Sequence, residues 1–181
     1  GLPPFLLYQA VNTLWVFFAN CFQNTAKTFA CNASIFGKVY FPRLTIPISV
    51  VLSNMISLAI RFVVFLAFFA YYLFIGAEIY PNWWILSLPL LVLLMAGIGL
   101  GVGVIVSSLT TKYRDLQQLV SFGVQLLMYA TPVIYPISSL QKEWQWVLLI
   151  NPMTPIIEMF RYAFLGVSSL APIYILYSAV F

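Results

Sequence analysis

Charged residues are scarce in this sequence, and histidine is absent from it. Only 7% of its 181 residues are Asp, Glu, Lys or Arg, whereas 63% are hydrophobic and the mean hydropathy is +1.01. A soluble domain of average composition has about 25% charged residues. So few charges cannot cover a globule of this size with a polar surface, and we therefore expect lipid to be the solvent for most of the chain.

These absences also limit the chemistry that the chain can perform. Without histidine, the sequence lacks the usual general base and the commonest metal ligand. Cys21 and Cys31 stand alone, which argues against a disulfide framework or a zinc or iron–sulfur site, and we interpret both as small packing residues. The few carboxylates are scattered over separate loops. The sequence therefore predicts no catalytic residue, no metal site and no cofactor bound by this chain.

Long apolar runs dominate what is present. A membrane-spanning helix needs about 20 apolar residues. Four runs meet this length, and a fifth is too short to span: Leu2–Phe22, Ile46–Phe74, Trp84–Leu109, Leu116–Ile134 and the short Ala171–Phe181. We expect an all-α fold of polytopic transmembrane helices. Because the last run is still apolar where the sequence stops, and no Met begins the chain, we interpret the sequence as a fragment of a longer protein.

The basic residues predict an orientation for these helices. The connections Gln23–Arg43 and Thr110–Asp115 lie on one side and contain five bases and one acid, whereas the other side holds two bases and three acids. Lys and Arg near span ends collect in the cytoplasm. Both connections are therefore predicted to be cytoplasmic, and the first run passes from outside to inside. Gln23–Arg43 also alternates polar and apolar residues, as a helix lying on the membrane surface does.

The predicted outer segment Pro136–Leu170 requires a different structure. Its apolar stretches Trp144–Ile150 and Ile156–Leu165 are too short to span, and Asn151-Pro152 and Pro155 are expected to break the helix between them. We predict two short re-entrant helices that enter the outer leaflet and return. Such backbone is tolerated where protein or a water-filled cavity surrounds it.

Three charged residues are predicted to lie within the membrane. Glu158 and Arg161 are three residues apart, a spacing that lets them pair on one helix. Arg61 interrupts the second apolar run. An intramembrane arginine usually faces protein or water and has a function, but its side chain can also snorkel towards the interface. The sequence leaves both interpretations of Arg61 open.

Small and aromatic residues complete the pattern. The third run contains two overlapping GxxxG spacings, formed by Gly97, Gly99, Gly101 and Gly103. Such spacings let helices approach closely, either as static packing or as a contact that shifts during transport. Aromatic residues make up 18% of the chain and cluster near predicted outer interfaces. An aromatic belt explains them, although a conduit that stacks against sugars would use the same residue types.

Several motifs together resemble one known family. Four motifs resemble segments of the polysaccharide-exporting ABC-2 permeases. They are Lys38-Val39-Tyr40-Phe41-Pro42-Arg43 followed by Ile46-Pro47, Tyr113-Arg114-Asp115, Thr131-Pro132-Val133-Ile134-Tyr135, and Asn151-Pro152 with Glu158 and Arg161-Tyr162. Their order and spacing hold across almost the whole chain. On this resemblance the chain lacks the first span and part of the last span of such a permease.

The resemblance implies partners and roles for particular residues. Such permeases form homodimers in the bacterial inner membrane and bind two ATPase subunits, which carry the ATP and magnesium. Contacts to the ATPase are implied for the coupling helix in 23–43 and the nearby turn, at Lys27, Lys38, Phe41, Arg43, Lys112, Arg114 and Asp115. Gate helices at 136–170 would contain Trp144, Asn151, Pro152, Pro155, Glu158 and Arg161.

The resemblance predicts export of lipid-linked polysaccharide, driven by a separate ATPase. Two alternatives stay open at this point. One is an ABC-2 exporter of drugs or other small lipophilic substrates, which a narrow apolar channel would favour. The other is a membrane-embedded glycosyltransferase or acyltransferase, which would need a cluster of carboxylates or histidines at one membrane face.

Overall fold

A computed structural model describes residues 4–32, 42, 44–76, 82–112, 115–131 and 151–166. Its regular elements are α1 (Pro4–Cys31), α2 (Thr45–Phe74), a short 3-10 helix (Trp83–Ser87), α3 (Leu88–Lys112), α4 (Leu116–Ala130) and α5 (Met153–Leu165). The predicted all-α fold is confirmed for these ranges. The first of the two predicted gate helices, with Trp144, lies outside the described residues, as does the last apolar run.

Prolines mark the starts of several helices. Pro47, Pro89 and Pro155 each occupy the second or third position of α2, α3 and α5 respectively. The first N–H groups of a helix have no acceptor within that helix, so a proline there removes no hydrogen bond. The expectation that Pro155 breaks the chain is therefore wrong, because it lies in the first turn of α5.

Within the described residues, three helices are long and apolar enough to cross a membrane: Phe5–Cys31, Thr45–Phe74 and Trp83–Thr110. The second and third match the predicted runs closely. The first was expected to end at Phe22, among polar residues, but α1 continues to Cys31. The extension is held by tertiary contacts, because α3 packs alongside it there and hydrogen-bonds to Ala26 and Phe29.

The fourth predicted span is only partly supported. Helix α4 has 15 residues, which corresponds to about 22 Å at 1.5 Å per residue. The hydrocarbon core is about 30 Å thick. The described helix is therefore too short to cross it, and residues 132–134 of the predicted run lie outside the described part of the chain.

Contacts between helices define their directions. Gly99 of α3 lies against Cys21 of α1, and Ser107 lies farther along beside Phe29, so α1 and α3 run parallel. The rings of Phe5 and Phe68 are 5.3 Å apart, which places the start of α1 beside the end of α2 and makes these helices antiparallel. The ends of α1 and α3, from which the first and third connections start, therefore lie on one side of the bundle, in agreement with the prediction. That this side is cytoplasmic stays a prediction.

Helix α5 packs inside the bundle rather than on its surface. Phe160 and Phe164 contact Phe65 and Phe69 of α2, with ring centroids 5.3–5.9 Å apart across the interface. Aromatic pairs of this geometry contribute about 0.5–1.5 kcal/mol each beyond their burial. Nearly every α5 side chain is buried. This aromatic cluster therefore fixes α5 against the half of α2 that lies near the start of α1.

The ends of α5 lie at different depths in the bundle. Met153, its first residue, lies near Phe18 at the middle of α1. At the other end the N–H of Asn82, which precedes the 3-10 helix, donates to the carbonyl of Ala163 over 3.0 Å. Gly166 ends the helix in a left-handed conformation (φ 69°) that costs glycine little. Residues 136–150 and 167–170 of the predicted re-entrant segment lie outside the described ranges.

Candidate functional site

A buried ion pair lies in the middle of α5. The Nη1 of Arg161 donates to Oε1 of Glu158 over 2.7 Å, and the two side chains are 3% and 2% exposed. The pairing that the i, i+3 spacing predicts is thus present. Burial lowers the pKa of the Arg161 guanidinium, while the Glu158 carboxylate acts in the opposite direction. An arginine remains charged in proteins, so each charge depends on the other inside the bundle.

Such a pair is costly to break but contributes little net stability. Removing water from two charges cancels much of their mutual attraction, whereas deleting one partner leaves an uncompensated buried charge that costs about 3–5 kcal/mol. Because both partners lie on α5, the pair compensates the two buried charges within this one helix. A conformational change that moved Glu158 relative to Arg161 would be strongly opposed.

A second polar contact joins α4 to α5. Nδ2 of Asn151 donates to Oγ1 of Thr131 over 2.8 Å, and the Thr131 hydroxyl donates to the carbonyl of Leu127 over 2.7 Å. On the other side, Oδ1 of Asn151 accepts from the N–H of Met153 over 3.0 Å at the start of α5. We call this set, Leu127, Thr131, Asn151 and Met153, the α4–α5 junction. It links two of the segments that resemble those of polysaccharide-exporting permeases, and Thr131 and Asn151 are 20 residues apart in the sequence.

The sequence did not predict the hydrogen bond between Thr131 and Asn151. Its only signal is that each residue precedes a proline, Pro132 and Pro152. A proline restricts the residue before it to extended backbone or a turn. Thr131 indeed adopts an extended conformation (φ −108°, ψ 143°) at the end of α4. Such positions free a side chain to bond across to another element.

The glycine pattern divides into two unlike faces. A Cβ added at Gly103 would lie 2.7 Å from Cβ of Thr25, and one added at Gly99 would lie 3.2 Å from Cβ of Cys21. At Gly97 and Gly101 it would meet no atom of the described residues within 4 Å. The close approach of α1 and α3 therefore involves Gly99 and Gly103, and a packing role for Gly97 and Gly101 stays a prediction.

Hydrogen bonds continue this seam beyond the glycines. Oγ1 of Thr110 donates to the carbonyl of Ala26 over 2.9 Å, and Oγ of Ser107 accepts from the N–H of Phe29 over 3.0 Å. In a bilayer such interhelical hydrogen bonds contribute about 0.6 kcal/mol on average. We call this contact, from Gly99 to Thr110 on α3 and from Phe18 to Phe29 on α1, the α1–α3 seam.

The residues predicted to contact an ATPase are only partly described. Lys27 is half-buried near the end of α1, and Asp115 is exposed immediately before α4. Helix α3 ends at Lys112, and the seam brings this end beside the end of α1. Lys38, Phe41, Arg43 and Arg114 lie outside the described residues. Lys27, Lys112 and Asp115, the residues of this set that are described, therefore lie at one end of the bundle.

Arg61 lies on the exposed side of α2. It is exposed near the centre of α2, 16 residues after Thr45 and 13 before Phe74. At 1.5 Å per residue it is roughly 20 Å or more from either helix end. The buried face of α2 is formed by other residues, which include Asn54, Leu58 and Phe65. Arg61 therefore points away from the bundle core.

Comparison with known proteins identifies the family to which this chain belongs. Residues 7–165 match the family of the ABC-2 type transporter. The chain belongs to the ABC-2 transporter family. The matched range contains all of α2 to α5 and all but the first residues of α1. This is a transporter family and not a family of enzymes, so the absence of a histidine or carboxylate cluster from the sequence is consistent with it.

Three relatives are similar over most of the chain. Two proteins from Klebsiella pneumoniae, each named O-antigen export system permease protein RfbA, are 30% identical over 152 and 164 residues, or 84% and 90% of this chain and 57% and 62% of their own lengths. The protein of that name from Myxococcus xanthus is 28% identical over 167 residues, 91% of this chain and 62% of its own length. The chain thus spans less than two thirds of these curated relatives.

Proposed function

We propose that this chain is the membrane domain of the permease subunit of an ATP-driven exporter of lipid-linked polysaccharide in the bacterial inner membrane. The observation that carries the proposal is its similarity, over 84–91% of its length, to permeases named for O-antigen export. The motifs from Lys38 to Tyr162 that resemble polysaccharide-exporting permeases point to the same substrate class.

Energy for transport would come from separate ATPase subunits. Two copies of the permease would bind two such subunits, which would hold ATP and magnesium. Contacts would form at the end of the bundle that contains Lys27, Lys112 and Asp115, together with Lys38, Phe41, Arg43 and Arg114. The parallel arrangement of α1 and α3 supports this assignment, because it brings the ends of both helices to one face.

Helix α5 and the α4–α5 junction would form part of the outer gate. The buried Glu158–Arg161 pair keeps α5 as one rigid unit, while the junction at Asn151 and Thr131 ties it to α4. A displacement of α4 would therefore be passed to α5. Trp144, Pro152 and Pro155 would belong to the same gate.

The proposal is tested with the full-length permease, produced together with a candidate ATPase subunit from the same genome. We expect the ATPase to co-purify with a tagged permease, and surface polysaccharide to be lost in a permease-deletion strain and restored by the wild-type gene. An Asp115→Lys variant should weaken co-purification, whereas Tyr129→Leu, at an exposed position on the same helix, should not. A permease that binds no ATPase, or a deletion strain with normal surface polysaccharide, would contradict the proposal.

A further inference from the structure

A cavity lies beside the α1–α3 seam and has not been given a role above. Its volume is about 200 Å³, and its walls come from α1, α3, α4 and the start of α5. Trp15, Phe18 and Phe22 form the α1 side, and Ile98 and Val102 form the α3 side. The three aromatic side chains are at most 7% exposed. They therefore line an interior space rather than the outer surface of the bundle.

The depth of the cavity decides which molecules can reach it. Phe18 is the fifteenth of the 28 residues of α1, and Val102 is the fifteenth of the 25 residues of α3. Both helices are candidate membrane spans. Their midpoints lie within the hydrocarbon core, where the abundant small-diameter component is the lipid acyl chain.

The lining selects for hydrocarbon. Among the described lining residues Asn151 has the one amide side chain, and both the oxygen and the nitrogen of that amide already make hydrogen bonds within the α4–α5 junction. A sugar or an ion would lose its hydration there without gaining partners. Benzene, with six carbon atoms, fills an engineered apolar cavity of about 150 Å³. On that scale this cavity accommodates about eight carbon atoms in a row.

We propose that this cavity binds one acyl chain of a bilayer phospholipid. Leu127, which forms the α4 side, is 39% exposed and gives the chain a route from the surface at acyl-chain depth. The acyl chain lies against Phe18 and Val102 beside the seam and fills the space next to the junction. This inference does not rest on the exported substrate, because it requires only that α1 and α3 span a bilayer.

Photolabelling of the full-length permease in nanodiscs tests the proposal. The probe is phosphatidylethanolamine with a diazirine at the middle of one acyl chain, and labelled peptides are mapped by mass spectrometry. We expect label on Phe18, which is buried and closed to lipid on the outer surface. Val102→Phe fills the cavity and should reduce this label at least fivefold, whereas Ile105→Phe, at an exposed position on the same helix, should leave it unchanged.

Two further experiments, one with another variant and one with another probe, complete the test. Leu127→Trp narrows the route from the surface and should reduce the label even if Val102→Phe perturbs folding. A polyprenyl phosphate with a diazirine in its chain separates the two sources of hydrocarbon. Absence of label from Phe18 in the wild-type protein, equal labelling of all variants, or labelling of Phe18 by the polyprenyl probe alone would each overturn the assignment to a phospholipid.

Discussion

Substitution of single glycines on α3 gives the sharpest test of this structure. We expect Gly103→Ala to destabilise the permease and Gly101→Ala to leave its stability unchanged or slightly higher. The two sites are two residues apart on one helix. They differ in their surroundings. A methyl group added at Gly103 would lie 2.7 Å from Thr25, whereas one added at Gly101 would meet no atom of the described residues within 4 Å.

The magnitude follows from three contributions. Replacing glycine by alanine within a helix gains about 0.5–1 kcal/mol, and this gain is common to both sites. At Gly103 the new carbon lies about 1 Å inside the 3.5–4.0 Å optimum for two carbon atoms. Such overpacking costs about 1–3 kcal/mol. Separating the helices to relieve it would stretch the hydrogen bonds at Ser107 and Thr110, at about 0.6 kcal/mol each. The expected difference between the variants is therefore about 2–4 kcal/mol.

Cys21 provides the assay. It is fully buried in the α1–α3 seam, so a fluorogenic maleimide reports when the seam opens on heating. The measurement uses full-length protein in detergent, with Cys31 and any cysteine other than Cys21 replaced by serine. Gly103→Ala should lower the midpoint temperature relative to Gly101→Ala, with Gly99→Ala between them. Equal midpoints for the 101 and 103 variants would refute the assigned seam.

Three further predictions concern polar groups. Arg161→Met should destabilise the protein by about 3–5 kcal/mol, because it leaves the charge of Glu158 buried without a partner. The double variant Glu158→Gln with Arg161→Met should lose much less stability. Equal losses of the two variants in thermal unfolding would show that the pair is not coupled. Thr131→Val should cost about 1–3 kcal/mol because Asn151 loses its acceptor, and Thr131→Ser should restore stability; an unchanged Thr131→Val protein would argue against the junction. If the charge of Arg61 is needed, Arg61→Leu should abolish polysaccharide export while Arg61→Lys retains it, and normal export by Arg61→Leu would show that the residue is dispensable.

The positions of the long helices could be predicted because one physical rule dominates them. A bilayer requires continuous apolar helices, so α2 and α3 match the predicted runs within a few residues. The end of α1 could not be predicted in this way. Its residues from Gln23 onward look like a polar linker, and they stay helical because α3 supplies partners at Ala26 and Phe29. Tertiary contact overrode the local pattern.

The same distinction separates predicted from unpredicted parts of the candidate site. Glu158 and Arg161 are neighbours on one helix, so their spacing was enough to predict the pair. Thr131 and Asn151 meet across 20 residues, and no periodicity relates them. The glycines were found as a group, but the period of GxxxG fits both faces of α3 equally. Only the position of α1 shows that Gly99 and Gly103 are the packed pair.

Among the three candidate spans, the helix of lowest hydropathy is the one most buried in the fold. Helix α1 is the most polar of the three candidate spans and the most buried, whereas α2 is strongly apolar and mostly exposed. The reason is that a bilayer solvates apolar side chains as well as a protein core does, so burial brings α2 little gain. Threonine and small residues on α1 gain contacts that lipid cannot supply, such as the one between Thr25 and Gly103. The run that hydropathy ranks as the weakest span is therefore the one around which α3, α4 and α5 are assembled.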